Sequence, residues 1–473
     1  MLNKTIQFIL IFLFIFTPIA FGSMDLWAFS LMELGILSII ILWAIQNLFR
    51  ISPACRPGRD FGFRNLKYEI LFLSLFLVLI LFQMIPIPPG IMKIISPKTY
   101  ELRHILSIPD SQFSIQNSKF QISFVPFITK IEFFKWLTLS GLFLLLLNWR
   151  FLKDGYQIMN QLIFVIFLMG VFEALYGMFE FFSGHHHILY LKGITSATGT
   201  FINRNYFAGY LLMVIPLSMG FLFSRESIKK VRYMGWRHRL SSLDGKTVLI
   251  AFGIMLMILG LLFSASRMGI LSLLLSFTLI IFLFRDPQRK EKKFSGTSVL
   301  IFGLALLWAV WIGLDAVINR FFNVSEDFKM RWIIWMNTFQ IIKEFPLFGS
   351  GLGTFTQVFP MHRAFHIRGL VTHAENDFLQ LASEVGLVGI GILLILFIFL
   401  FFKAVSGIRS LSHWGTQRYI GIGGLVGILA LMFHSIVERN LQVPANAFLY
   451  TFIWAIVLRV ALNPDVTSKF RSL

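Results

Sequence analysis

Long apolar runs separated by short polar segments dominate this chain. A transmembrane helix needs about 20 mostly apolar residues to cross a hydrocarbon core of about 30 Å. Twelve stretches qualify: 5–22, 30–48, 69–88, 131–149, 157–178, 206–224, 247–264, 268–284, 297–316, 380–402, 419–436 and 444–462. The pattern predicts an all-α fold, a polytopic membrane bundle of about 12 transmembrane helices.

The stretch 247–284 shows how one turn is placed. Arg267 is its one charged residue, and a single helix of this length would far exceed the hydrocarbon thickness. The segment Ser264–Gly269 is its polar, glycine-bearing interruption, so we expect the chain to reverse there. An arginine at mid-bilayer costs at least about 2.5 to 3.5 kcal/mol, so Arg267 is expected at a membrane surface.

The composition excludes a water-soluble domain. Apolar residues make up 56% of the chain and charged residues 14%, and there are 55 Phe in 473 residues. The one cysteine, Cys55, permits no internal disulfide. Because so much of the chain is apolar, we expect membrane lipids to be partners of the protein.

The net charge of +19 is better explained by membrane topology than by nucleic acid, because Lys and Arg occur in short clusters between apolar runs. The densest clusters, Arg50–Lys67, Arg225–Lys246 and Arg285–Lys293, all fall on one side of the predicted bundle. By the positive-inside rule this side is cytoplasmic, with both termini there. The first apolar run is either a span or a cleavable signal peptide, and cleavage would leave every later loop on its present side.

The long outward connections are 89–130, 182–205 and 318–376, and the last is predicted to be structured. Its segment Lys329–Lys343 places Trp332, Trp335, Met336 and Phe339 on one stripe of an amphipathic helix, typical of the headgroup region. Glycines at 349, 351 and 353 follow. They either shape the turn after this helix or bring backbone N–H groups to a diphosphate.

Five motifs carry a resemblance to a known family, the O-antigen ligase and polysaccharide polymerase superfamily of bacterial envelope glycosyltransferases. The motifs are Gly199–Gly209, Ser264–Gly269, Arg331–Gly353, His373–Gly389 and His434–Asn446. The ligase-like region is 195–446. Around it we divide the chain into N-terminal spans (1–200), central spans (201–317), a large periplasmic loop with an amphipathic helix (318–376) and C-terminal spans (377–473).

The resemblance implies transfer of a glycan from an undecaprenyl-diphosphate carrier to a saccharide acceptor, either lipid A core or a growing polysaccharide. The site would lie on the periplasmic face of the inner membrane, and no metal or other cofactor is expected. Arg267 and Arg331 match the two arginines that hold the diphosphate, and arginine suits phosphate because its planar fork pairs with phosphate oxygens. His373 or Glu375 is the catalytic base: Glu375 stands at the family's histidine position, and His373 lies two residues upstream. Asn376, Gly351 and Gly353 are expected to support the site.

Several alternatives stay open at this point. Arg204 is either a third phosphate contact or a helix-start residue. His434 and Glu438 either form a hydrogen-bonded pair or pack in the bundle. Three adjacent histidines, His185–His187, suggest a metal site only weakly, because neighbouring side chains cannot easily face one ion. A transporter or flippase of lipid-linked oligosaccharide is the alternative function. It predicts internal repeats and ionisable residues in mid-span, whereas the two halves show no convincing repeat and almost every charge lies at a loop or a helix end.

Overall fold

The structure is a computed structural model that describes residues 2–48, 66–106, 120–148, 156–184, 187–189, 191–192, 196–228, 244–283, 325–363, 370–411 and 415–462. Helices make up most of this part of the chain. The helices are α1 Leu2–Ile19, α2 Leu26–Leu48, α3 Lys67–Met84, α4 Pro89–Ile95, α5 Pro97–Leu106, α6 Pro126–Asn148, α7 Tyr156–Phe182, α8 Arg204–Ile228, α9 Gly245–Phe263, α10 Arg267–Leu283, α11 Ser325–Glu344, α12 Phe355–Val358, α13 Asp377–Ser410, α14 Thr416–His434 and α15 Pro444–Leu462. Short 3₁₀ turns occupy Phe21–Ser23 and Phe359–His362, and β1 His187–Ile188 pairs antiparallel with β2 Leu191–Lys192.

The predicted helical membrane bundle is confirmed. Within the described residues, ten helices are long and apolar enough to cross a membrane, and α10 is a shorter apolar helix of the same kind. Every predicted stretch that lies in the described residues falls on one of these helices. The stretch 297–316 lies outside the described residues, as does most of the three basic clusters. The reversal predicted at Ser264–Gly269 is present, because α9 ends at Phe263 and α10 begins at Arg267.

Helix α8 lies at the centre of the bundle and packs closely against α14. The span of α8 is entirely buried inside the protein. A Cβ atom on Gly220 would lie 2.4 Å from the Tyr419 carbonyl oxygen, and one on Gly423 would lie 2.4 Å from that of Pro216. Small residues at such contacts let two backbones approach, which is how helices associate in a lipid that offers little hydrophobic driving force.

Helix α13 contains a sharp break near its start. Gly386 has φ 68° and ψ −175°, outside the helical region. The N–H of Leu387 donates to the Pro346 carbonyl oxygen over 2.8 Å. The first part of α13 is therefore tied to the turn that follows α11, and the long membrane-crossing part begins after the break.

The amphipathic helix predicted in the large loop is confirmed as α11. Its exposed face is apolar: Phe328, Trp332, Met336 and Phe339 are each more than a third exposed. Ile334, Thr338 and Ile341 are buried on the opposite face. Trp335 departs from the predicted stripe, since its indole nitrogen is hydrogen-bonded inside the protein.

Candidate functional site

Five helix termini meet at one end of the bundle: the end of α14 and the starts of α8, α10, α13 and α15. Helix α14 ends at His434 and α15 begins at Pro444, and we call residues 435–443 between them the connector. The Asp377 N–H at the start of α13 donates to the Ser435 carbonyl oxygen over 3.1 Å. The Asn446 side chain donates to the Tyr206 carbonyl oxygen, 3.1 Å away in the first turn of α8. The connector thus contacts the start of α13, and the first turn of α15 that follows it contacts the start of α8.

Buried polar side chains fix the shape of the connector. One carboxylate oxygen of Asp377 accepts from the N–H groups of Asn440, 2.8 Å away, and Leu441, 2.9 Å away. The Asn440 amide nitrogen lies 3.1 Å from Nδ1 of His434. These contacts hold a buried loop whose backbone would otherwise lack partners.

The turn that carries Arg267 approaches the same place. The Ser266 hydroxyl lies 3.5 Å from Nε2 of His434, and both residues are buried. Arg267 is the next residue, is partly buried, and begins α10. Arg267 therefore follows directly after a residue that contacts His434, the last residue before the connector.

Arg331 binds the connector directly. Its Nη2 lies 2.6 Å from a Glu438 carboxylate oxygen, and its Nη1 donates to the Val437 carbonyl oxygen. The Glu438 side chain is 5% exposed and that of Arg331 23% exposed. Burial raises the pKa of Glu438, and the positive charge of Arg331 opposes this shift. Arg331 also lies within electrostatic range of His434, the residue that the Ser266 hydroxyl of the Arg267 turn contacts.

The segment 373–376 is held beside the connector in a strained conformation. Glu375 has φ +50°, a left-handed value that side chains other than glycine rarely adopt. Trp335 donates its indole N–H to the Ala374 carbonyl oxygen over 3.0 Å, and the Ala374 N–H donates to the Gln380 side chain over 3.1 Å. Glu375 itself is half-buried. Strain retained by surrounding contacts is common at functional sites.

Asn376 has a clear structural role. Its side-chain oxygen accepts from the N–H groups of Phe378 and Leu379, each 3.0 Å away, and so caps the start of α13. The residue predicted to support the site therefore orients the helix that follows Glu375.

His373 is the other candidate base. Burial of its ring, together with the positive charge of Arg439, lowers the pKa of His373 to about 3. The imidazole is therefore neutral at physiological pH. Since a general base works best with a pKa near the working pH, this site makes His373 a weak base.

The glycines at 351 and 353 serve the fold of the turn. The Gly353 N–H lies 2.9 Å from a Glu384 carboxylate oxygen, and the Gly351 N–H lies 3.0 Å from the Glu384 carbonyl oxygen. Both glycines have left-handed φ values, 109° and 81°, and a Cβ on either would meet a neighbour at 2.8 Å or less. Of the two interpretations of these glycines, the geometry favours turn formation over diphosphate binding, because their N–H groups already have acceptors.

Arg204 begins α8 and is partly buried. The Asn203 side chain accepts from the Asn205 N–H over 2.8 Å and so caps the helix start. Arg204 is thus a helix-start residue by position, and a role in phosphate binding stays a prediction.

Two residues were missed by the sequence analysis. Arg439 donates its Nε–H to the Tyr206 hydroxyl, and its guanidinium carbon lies 5.0 Å from the centre of the Tyr206 ring. Both residues occur in the quoted motifs, Gly199–Gly209 and His434–Asn446, but only the fold brings them together. The possible pair of His434 and Glu438 is not formed: His434 contacts Asn440 and Ser266, and Glu438 pairs with Arg331.

The described residues hold no group of three or more His, Cys, Asp or Glu side chains arranged to bind a metal ion. His185 and His186 lie outside the described residues.

These features define a multi-pass helical membrane protein with a charged site where loops meet one end of the bundle. The family model of the O-antigen ligases matches residues 252–394, from within α9 to within α13. The matched segment includes Arg267, Arg331 and Glu375, so the predicted resemblance is confirmed there. The match indicates a glycosyltransferase-type enzyme of the bacterial inner membrane. A comparison with curated proteins found no match.

Proposed function

We propose that this protein transfers a glycan from an undecaprenyl-diphosphate carrier to a saccharide acceptor at the periplasmic face of the inner membrane. The observation that carries the proposal is the convergence of three distant segments on the connector. The Ser266–Arg267 turn contacts His434, directly before the connector, and Arg331 binds Val437 and Glu438 within it. The strained Glu375 segment lies within electrostatic range of Glu438. They bring phosphate-binding cations and a carboxylate to one end of the bundle.

In the proposed reaction, a hydroxyl oxygen of the acceptor attacks the anomeric carbon of the donor sugar. The bond from that carbon to the phosphate oxygen breaks, and its electron pair leaves with the diphosphate. Glu375 takes the hydroxyl proton. Arg267 and Arg331 stabilise the charge on the leaving diphosphate, which needs positioning and electrostatics rather than a covalent intermediate.

Glu375 is the better of the two candidate bases. It is half-buried, so a substrate hydroxyl can reach it. Its strained backbone is held by two hydrogen bonds of the neighbouring Ala374, one through the carbonyl oxygen and one through the N–H. His373, with its pKa of about 3, is a weak proton acceptor at neutral pH. We assign the proton transfer to Glu375 for this reason.

The arrangement of helix ends supports a periplasmic site. The Thr200 hydroxyl donates to the Pro18 carbonyl oxygen over 2.7 Å, so the end of α1 lies with the start of α8 at the site end. Because α15 runs away from the connector, both ends of the described chain lie on the opposite face. Helices α2, α8 and α10 end at that opposite face, and in the sequence a basic cluster lies at or just after each of these ends, so the positive-inside rule makes that face cytoplasmic.

Buried carboxylates within the spans do not favour the transporter alternative. One Glu173 carboxylate oxygen accepts from the Thr200 N–H over 2.8 Å, and the other lies 2.8 Å from the Thr200 hydroxyl oxygen. Glu69 is paired with Lys403. Both carboxylates are thus engaged in local structure, whereas a transport pathway calls for ionisable groups that face a substrate.

Purified protein, an undecaprenyl-diphosphate-linked glycan and candidate acceptors test the proposal. We expect Glu375→Gln to lower kcat by about 10²- to 10⁴-fold, the usual contribution of general acid–base catalysis. Arg267→Ala and Arg331→Ala should lower kcat/KM for the donor. Lys343→Ala is the matched control, because Lys343 is an exposed cation on the same helix as Arg331. Transfer that persists in the double variant R267A/R331A would refute this mechanism.

The same assay with different acceptors separates two forms of the proposal. Transfer to lipid A core identifies a ligase, and chain extension of a second carrier-linked glycan identifies a polymerase. Orientation is tested by thiol labelling of L370C in a C55S background, since Leu370 is 65% exposed in the large loop. Labelling of intact spheroplasts by a membrane-impermeant reagent is expected, and labelling only after lysis would contradict a periplasmic loop.

A further inference from the structure

Arg439 is held firmly on one side of its guanidinium group. Its Nε–H donates to the Tyr206 hydroxyl, and the guanidinium carbon lies 5.0 Å from the centre of the Tyr206 ring. Tyr206 is 3% exposed and lies in the first turn of the buried helix α8. An arginine held by both a hydrogen bond and a cation–π contact has little freedom to turn away.

The other side of this guanidinium lacks acceptors. Arginine has five N–H donors, and within the described chain the Tyr206 hydroxyl is the one hydrogen-bond acceptor that Arg439 contacts. Its Nη1 is buried with no hydrogen-bond partner among these residues. A buried cationic donor without an acceptor is costly, so the terminal nitrogens are suited to receive oxygens from a ligand.

Arg331 differs in this respect. Its two terminal nitrogens bind Glu438 and the Val437 carbonyl oxygen, so both are already engaged. A diphosphate that leaves a sugar bears at least two negative charges. A further guanidinium whose terminal nitrogens are not engaged would add positive charge for such a group.

Arg439 lies at the right place to supply that charge. It is within electrostatic range of His373, on the segment that carries Glu375. The Tyr206 hydroxyl that binds it is itself within electrostatic range of Glu375 and Glu438. The Arg439 guanidinium therefore lies at the start of α8, near the segment that carries the base that we propose.

We propose that Arg439 is a further diphosphate-binding residue and that Tyr206 is its positioning residue. The inference rests on the proposed function, because that function makes the ligand a polyprenyl diphosphate. Arg439 donates bidentate hydrogen bonds to phosphate oxygens, and Tyr206 fixes the plane of the guanidinium.

Binding measurements test this without catalysis. The probes are undecaprenyl diphosphate and undecaprenol, added to the purified full-length protein in nanodiscs. We expect Arg439→Lys to weaken diphosphate binding at least tenfold, because lysine keeps the charge but loses the planar fork. Undecaprenol binding should not change. Arg103→Lys is the matched control: Arg103 also lies over a ring, 5.8 Å from the centre of Phe124, and donates to the Ser123 carbonyl oxygen over 2.7 Å.

The variant Tyr206→Phe tests whether Tyr206 positions Arg439 or only supports the fold. This variant keeps the ring and removes only the hydroxyl, so the fold should survive. We expect it to raise the KM for the donor with little change in kcat, and to add nothing to the effect of Arg439→Lys in the double variant. A Y206F effect that is fully additive to that of R439K would refute the positioning role.

The outcomes distinguish this inference from the proposed function. Wild-type protein that binds undecaprenyl diphosphate through Arg439 but transfers no glycan would retain the inference and refute the transferase. Wild-type protein that transfers glycan, with R439K at wild-type affinity and wild-type KM, would retain the transferase and refute the inference.

Discussion

The indole nitrogen of Trp335 lies 3.0 Å from the carbonyl oxygen of Ala374, and this contact joins the surface helix α11 to the segment that carries Glu375. Ala374 is fully buried, so its carbonyl oxygen has few other partners. The helix predicted to lie in the headgroup region thus also holds the proposed base in place.

We expect Trp335→Phe to lower kcat with little change in the KM for the donor. A smaller aromatic ring remains, but the hydrogen bond is lost, which leaves a buried carbonyl unsatisfied at a cost of about 1 to 3 kcal/mol. Steady-state kinetics with a carrier-linked glycan measure the effect. Trp332→Phe is the control, because Trp332 is 49% exposed on the same helix. Equal losses in the two variants would show that Trp335 does not position Glu375.

The Arg331–Glu438 pair predicts strong coupling between two distant parts of the chain. Removing one partner of a buried ion pair costs about 3 to 5 kcal/mol, and we expect the lower end because Arg331 is 23% exposed. The double variant R331A/E438A should lose less stability than the sum of the single variants, with a coupling of about 0.5 to 3 kcal/mol.

Thermal unfolding of the four proteins in detergent gives this double-mutant cycle. Additive losses would mean that the two side chains do not interact in the folded protein. The isosteric variant Glu438→Gln checks that the coupling depends on charge rather than on shape.

The sequence predicted the bundle well because its signal is local. Each span is a continuous apolar run, and the lipid imposes one length on all of them. The reversal at Ser264–Gly269 was also predictable, since a charge and a glycine interrupt one long run there. The motif positions of Arg331 and Glu375 were found by resemblance, and both lie at the site end of the bundle.

Partners within the site were not predictable in the same way. Glu438 was considered as a partner of His434, one helical turn away, but α14 ends at His434 and the connector turns Glu438 towards Arg331. The glycines at 351 and 353 were ambiguous because a tight turn and an anion site use the same residue. The hydrogen bonds from both glycine N–H groups to Glu384 favour the tight turn. Asn376 did carry a local signal, because an asparagine directly before an apolar run is a typical helix cap.

The break in α13 gives a sharp test of the fold at the site. A Cβ on Gly386 would lie 2.3 Å from the Leu347 carbonyl oxygen, and the residue has φ 68°. We expect Gly386→Ala to lower the unfolding temperature markedly, because both the contact and the left-handed conformation oppose a side chain. Gly391→Ala, five residues further along, is the matched control, since nothing lies within 4 Å of a Cβ there. That substitution should be neutral or slightly stabilising. Similar unfolding temperatures for both variants would contradict the break.

Stability should fall with acid in a way that depends on His373. A histidine in the unfolded chain has a pKa near 6.5, whereas burial and Arg439 lower the pKa of folded His373 to about 3. Between these values the unfolded chain binds a proton that the folded protein does not. The contribution of His373 is therefore fully present above pH 6.5 and is lost as the pH falls towards 3.

We expect His373→Gln to flatten the dependence of unfolding temperature on pH between 6.5 and 4.5, because glutamine cannot take up the proton. A second variant, His104→Gln, removes an exposed histidine of α5 and reports what loss of any imidazole does to the slope. Comparison between the variants also separates the contribution of His373 to stability from that of Glu438. The raised pKa of Glu438 favours the folded protein as the pH falls, which is the opposite of the effect of His373. If H373Q and wild type lose stability in parallel as the pH falls, the imidazole is not held neutral by its surroundings. His373 would then compete with Glu375 as the base, because a ring that gains a proton near neutral pH is well matched to that role.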